Sequence, residues 1–175
     1  MDNFLEMAVL GEKSFDSNLV QPSSRIFNHA LSFYRAYLKL KVDGVTSNPS
    51  HVCLVFAIEL FLKCLETKER YTKQDTYTEG SVSYKVCHKP IPRSAKHDLE
   101  ELFQKLSKNT QEAIALLYKK EYGGDFYTDL VLISKGFIEW RYIYEGNVEV
   151  VHVWSLQKIG DFLFNNYSQS VFENN

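Results

Sequence analysis

Glu59 and Lys63 stand four residues apart inside the run 51–66, HVCLVFAIELFLKCLE, which is otherwise apolar on nearly every side. An acid one helical turn N-terminal to a base is the favourable orientation for an ion pair. Apolar residues all round a helix mark it as central to a bundle, where an unpaired charge costs several kcal/mol or neutralises. The pair therefore requires partners from elsewhere in the chain. Arg141 is the first candidate. Phe126, Leu130, Ile133, Phe137, Arg141 and Tyr144 recur at steps of four and three, which places the arginine on an inward helical seam. A guanidinium there can grip phosphate or a base edge. Pairing with Glu59, so that two helices are held in register, is the preferred account. The two roles coexist if the ion pair lines a cleft.

Trp140, Tyr142 and Tyr144 flank Arg141. Aromatic faces beside a cation suit base stacking, although core and rim packing is the plainer role. Glu145 can serve as a general base only if burial raises its pKa. His97 directly precedes Asp98, a natural helix N-cap. It either packs as the staple residue, the preferred role, or donates a proton in a cleft with Arg141. Glu59, Lys63, Arg141 and Tyr142 are thus the expected ligand-binding set, and Arg141, Tyr144, Glu145 and His97 the candidates for any catalysis.

Other chemistries find little support. Cys87, His88 and His97 have no zinc-site spacing, so neither a metal nor a cofactor is expected. The chain has no Gly-x-Ser-x-Gly nucleophile motif and no glycine-rich phosphate loop.

These residues need elements to hold them. Ser23 and Ser24 can cap a first helix that ends near 42–44, and Asn48-Pro49 reads as N-cap and first turn of the central helix, running to about Arg70. The helical pattern then vanishes over 71–92. There 76–86 alternates around Glu79-Gly80, as a small hairpin or a long loop. Asp98 with Glu101 has capping-box spacing and opens a short helix to about Ser107. Another helix spans Thr110 to Tyr122, stopped by Gly123-Gly124. Asp125 caps a last long helix through Tyr144, a short extended segment lies near 148–153, and Ser155 starts a final amphipathic helix. The expected fold class is all-α, an up-and-down helical bundle of residues 22–175, preceded by an arm at 1–21.

The 175 residues suffice for one domain with a sizeable core. Twenty basic residues against 22 acidic ones give a net charge of -2, so no global basic field advertises nucleic acid. No uninterrupted apolar run reaches membrane-span length, and the N-terminus does not read as a secretory signal. Three cysteines without bridging geometry fit a reducing compartment, and a cytoplasmic location without membrane association is expected.

Three segments together resemble the HEPN superfamily, the nucleotide-binding helical bundles of toxin-antitoxin and antiphage systems. They are AIELFLK at 57–63, His97-Asp98-Leu99, and FIEWRYIYE at 137–145, in family order over roughly residues 23–167. The resemblance implies a dimer built on long helices, or a complex with another protein, and a cleft for RNA or nucleotide. Many members are metal-independent ribonucleases with an Arg-x(4–6)-His signature on the last bundle helix. Here the eligible positions after Arg141 are Gly146, Asn147 and Val148, so the signature is missing. The expectation is a non-catalytic binding module, with a ribonuclease using Arg141, Tyr144, Glu145 and His97 as the alternative.

Overall fold

The computed structural model describes residues 9–41, 47–78, 81–134 and 152–170. Within them lie six helices and three strands. In chain order they are β1 (Val9–Asp16), α1 (Ser24–Leu40), α2 (Asn48–Leu65), β2 (Thr67–Thr78), β3 (Ser81–Pro92), α3 (Leu99–Lys105), α4 (Lys108–Tyr122), α5 (Phe126–Val131) and α6 (Val153–Ser170).

Local signals set most helix starts. Ser23 accepts from the Ile26 amide, Asp98 from Glu101 and Asp125 from Thr128, each supplying an acceptor to a first turn that has none within the helix. At the head of α2 the cap is Ser47, one residue before the expected Asn48. The Ser47 amide donates to Ser50 Oγ at 2.9 Å. Gly123 closes α4 at φ 69°, the left-handed conformation that glycine adopts without strain.

The core is helical. Helix α2 lies at its centre, with Leu54, Val55, Ala57, Ile58, Phe61 and Leu62 buried between α1 and α6. By length and composition α2 could cross a membrane, but most of it is buried within this fold, as a core helix must be. Tyr118 and Phe126 pack edge-on at 5.3 Å, and Tyr118 and Phe162 at 5.1 Å, joining α4, α5 and α6. Gly160 lets α6 approach α2 closely, since a Cβ there would meet Leu54 Cδ1 at 2.5 Å.

The expectation of an all-α chain is corrected by a three-stranded antiparallel sheet in the order β1-β2-β3. The alternating segment is a hairpin and longer than its pattern implied, pairing Thr67 with Pro92 and Thr78 with Ser81. Part of the expected N-terminal arm is its third strand, in which Phe15 pairs with Tyr71 and Asp16 with Arg70. Helix α2 stops at Leu65 rather than near Arg70, because Thr67–Arg70 are taken into ladders with the residues before Ser23 and after Val86. Among the described residues no strand packs broadly on a helix. The sheet joins the bundle at its root, through the Gln21–Thr67 bridge and the Arg93 amide on the Glu66 carbonyl at 3.0 Å.

The long helix expected from Asp125 to Tyr144 is not continuous. It ends at Val131, and Ile133 and Ser134 donate three residues back as a turn. Residues 148–151 of the expected extended segment fall outside the described residues, while Val153 already belongs to α6.

Candidate functional site

Glu59 lies in the middle of α2 with only 3% of its surface exposed. Lys63, one turn on, donates to its Oε1 at 2.7 Å, as the four-residue spacing requires. The second partner is His97, whose Nδ1 lies 3.0 Å from the same oxygen. The other carboxylate oxygen, Oε2, is buried and accepts no hydrogen bond among the described residues. A carboxylate has acceptor capacity on both oxygens, so this one is asymmetrically loaded.

Capping positions the histidine. Asp98 is fixed by accepting from Glu101 N at 3.0 Å, and the Leu99 amide reaches the Ser134 carbonyl at 3.5 Å, tying the start of α3 to the turn after α5. His97 is thereby held across the face of α2 that carries Glu59. The imidazole is 68% exposed while the carboxylate side chain is 4% exposed. The preferred role for His97, an apolar staple, is therefore corrected: the ring is a solvent-facing polar group joined to a buried carboxylate. Such an arrangement fixes the orientation and tautomer of an imidazole.

Of the expected site residues, the structure brings together Glu59, Lys63 and His97. Trp140, Arg141, Tyr142, Tyr144 and Glu145 lie outside the described residues, as does the expected contact between Glu59 and Arg141. No group of three potential metal ligands forms among the described residues. His88 instead faces Glu69, at 3.4 Å on the sheet. The cysteines are free, with Cys64 buried and Cys87 exposed.

Two further charged clusters escaped the sequence. Glu66, at the C-cap of α2, accepts from the Ser107 amide at 2.9 Å and from Thr110 Oγ1 at 2.7 Å, and pairs with Arg93. Burial alone would raise its pKa, but these donors prevail and hold it at about 2. Asp129 accepts from Lys158 at 2.7 Å, Tyr118 at 2.6 Å and Ser155 at 2.8 Å. Burial opposes its charge, yet those three donors keep its pKa below the usual carboxylate value. The only sequence signal for either was the Ser107-x-x-Thr110 helix start, which marks donors but not the acid they serve. Both clusters are saturated with internal donors and act as joints between elements. The Glu59 cluster differs in including an exposed imidazole.

No family model, no curated protein and no solved structure matches this chain.

Proposed function

We propose that this chain is a HEPN-like helical binding module that holds RNA or nucleotide in a cleft between α2 and the segment carrying Arg141, without cleaving it. In this reading it works in the toxin-antitoxin or antiphage setting implied by the resemblance, as a homodimer or bound to another protein. The observation that carries the reading is the Glu59 network, a buried carboxylate on the central helix anchoring one nearly buried cation and one exposed imidazole. In this reading the exposed His97 ring contacts a phosphate oxygen, and Arg141 supplies the bidentate grip. Ser134, beside the Leu99 amide, brings the chain to within seven residues of Arg141 next to His97. Lys63 neutralises Glu59, so the carboxylate does not repel the ligand.

Binding of labelled single-stranded RNA to purified protein in EDTA tests this directly. Retention without cleavage, weakened by Arg141→Ala or His97→Ala, is the expected result. The reading fails if neither RNA nor nucleotide is retained.

One observation favours the second reading, an endoribonuclease. An imidazole whose Nδ1 is tied to a carboxylate has its outer nitrogen set up for proton transfer. It could protonate the leaving oxygen while Arg141 stabilises charge on the phosphate and Glu145, beside Tyr144, takes the proton of the attacking ribose 2′-hydroxyl. Cleavage in EDTA that disappears in His97→Ala and persists in Lys105→Ala would establish this reading over simple binding.

A further inference from the structure

The sheet sorts its side chains between two faces. Strand residues alternate, so Lys68, Arg70 and Thr72 share one face with their β3 partners Ile91, Lys89 and Cys87, and Lys85 follows opposite Gln74. Phe15, Tyr71 and His88 share the other, with Phe15 stacked on Tyr71 at 5.2 Å and Tyr71 on His88 at 6.3 Å. The first face is cationic. Lys68, Lys85 and Lys89 are exposed and have no ion-pair partner among the described residues, whereas Arg70 is taken by Asp16 at 2.6 and 2.9 Å. Asp16 is the acid that meets this row, in a chain of net charge -2.

At the root of the sheet the pattern runs into a cavity of about 460 Å³ lined by Val20, Ile91, Pro92, Lys68, Arg93 and Glu66. That volume falls within the range of small-ligand sites. Arg93 is half exposed, and its Nη1 is held by Glu66, which leaves the rest of its guanidinium donors turned away from that bond. At a rise of about 3.3 Å per residue, the cations from Lys68 to Lys85 span roughly 20 Å beside the cavity mouth.

We propose that this face is a track for the phosphodiester backbone of single-stranded RNA, with one base splayed into the root cavity beside Arg93. Cations in a row complement a polyanion, and a cavity walled by valine, isoleucine and proline accepts an unstacked base. A duplex cannot deliver a base there. The inference rests on the reading of the chain as an RNA binder but uses residues apart from Glu59, His97 and Arg141.

Fluorescence anisotropy with a labelled oligouridine of about 12 nucleotides tests it. Lys85→Gln with Lys89→Gln should weaken binding about tenfold and flatten the salt dependence by roughly 0.7 in log-log slope per lost phosphate contact. Lys68→Gln should weaken it further. Lys119→Gln with Lys120→Gln, which makes the same charge change at the end of α4, should have no effect. Arg93→Lys, which keeps the cation but not the planar fork, should reduce affinity for oligouridine more than for an abasic oligomer of equal length. If the protein binds RNA and Glu59→Gln or Arg141→Ala abolishes it while the sheet variants leave it unchanged, the track is refuted and the cleft reading stands. If the sheet variants weaken binding and the cleft variants do not, the track stands and the cleft reading falls. Equal affinity for duplex RNA, or salt-dependent binding to phosphatidylserine vesicles that oligouridine does not compete away, would also overturn the proposal.

Discussion

At the scale of single residues, the charges divide by how completely they are served. Glu66 is the most fully served, and its pH dependence follows. Its pKa is held at about 2 against an ordinary value of 4.5, so its contribution is fully present above 4.5 and is lost as pH falls from 4.5 through 2. The shift corresponds to stability on the order of 3 kcal/mol. Denaturant titrations of Glu66→Gln should show lower stability at pH 7 and a shallower decline between pH 4.5 and 2 than the parent. Parallel curves would show that its three donors do not favour the charged form. Glu59 behaves differently, because one of its oxygens is unserved. Glu59→Ala strands Lys63, whose side chain is only 10% exposed, and should cost on the order of 3 kcal/mol, whereas His97→Ala, at the exposed end, should cost less than about 1 kcal/mol. The cycle Glu59→Gln with Arg141→Met measures whether the expected pair exists. A coupling well above about 0.5 kcal/mol would place Arg141 on Glu59, and strict additivity would remove it from that seam.

At the scale of elements, α6 approaches α2 closely at Gly160. Gly160→Ala improves intrinsic helix propensity by about 1 kcal/mol, but the new methyl would sit 2.5 Å from Leu54 Cδ1 and 3.2 Å from Cγ in a fully buried site. Overpacking of this kind costs about 1–3 kcal/mol, so net destabilisation is expected. Combining it with Leu54→Ala should recover part of the loss relative to the sum of the singles. A melting temperature raised by Gly160→Ala alone would mean that the helices are free to separate. Caps were legible in the sequence because each acts within three residues: Ser23, Asp98, Asp125 and Gly123 all sit where their types suggested. The end of α2 was not. Nothing local forbids Glu66–Arg70 from continuing the helix, and pairing with β3 residues 25 and 23 positions away, together with the Gln21 bridge, draws Thr67 and Lys68 into the sheet.

At the scale of the whole molecule, the bundle supplies the core and the sheet supplies surface. Circular dichroism should be dominated by helix, with content above the roughly one-third typical of globular proteins. Leu116 and Trp154 are 71% and 72% exposed on α4 and α6, large apolar groups that association would cover. Light scattering at micromolar concentration is expected to give about twice the monomer mass. A monomer at every concentration, with nothing co-purifying, would count against the dimer.

What the sequence by itself determined about this protein is what acts over short separations. The helical core, its caps and the Glu59–Lys63 pair follow from the 3.6-residue period and from residues three or four apart. Tertiary structure decided whatever joins distant positions. His97 reaches Glu59 across 38 residues, Thr110 reaches Glu66 across 44, and Lys158 reaches Asp129 across 29. Strand β1 gave no periodic signal because its sheet has no broad face against the helical core, so no alternation of buried and exposed residues was imposed on it. A local pattern records only the burial and bonding that neighbours along the chain impose. The partners of an isolated buried charge are chosen by whichever elements happen to pack against it, and that choice exists only once the chain has folded.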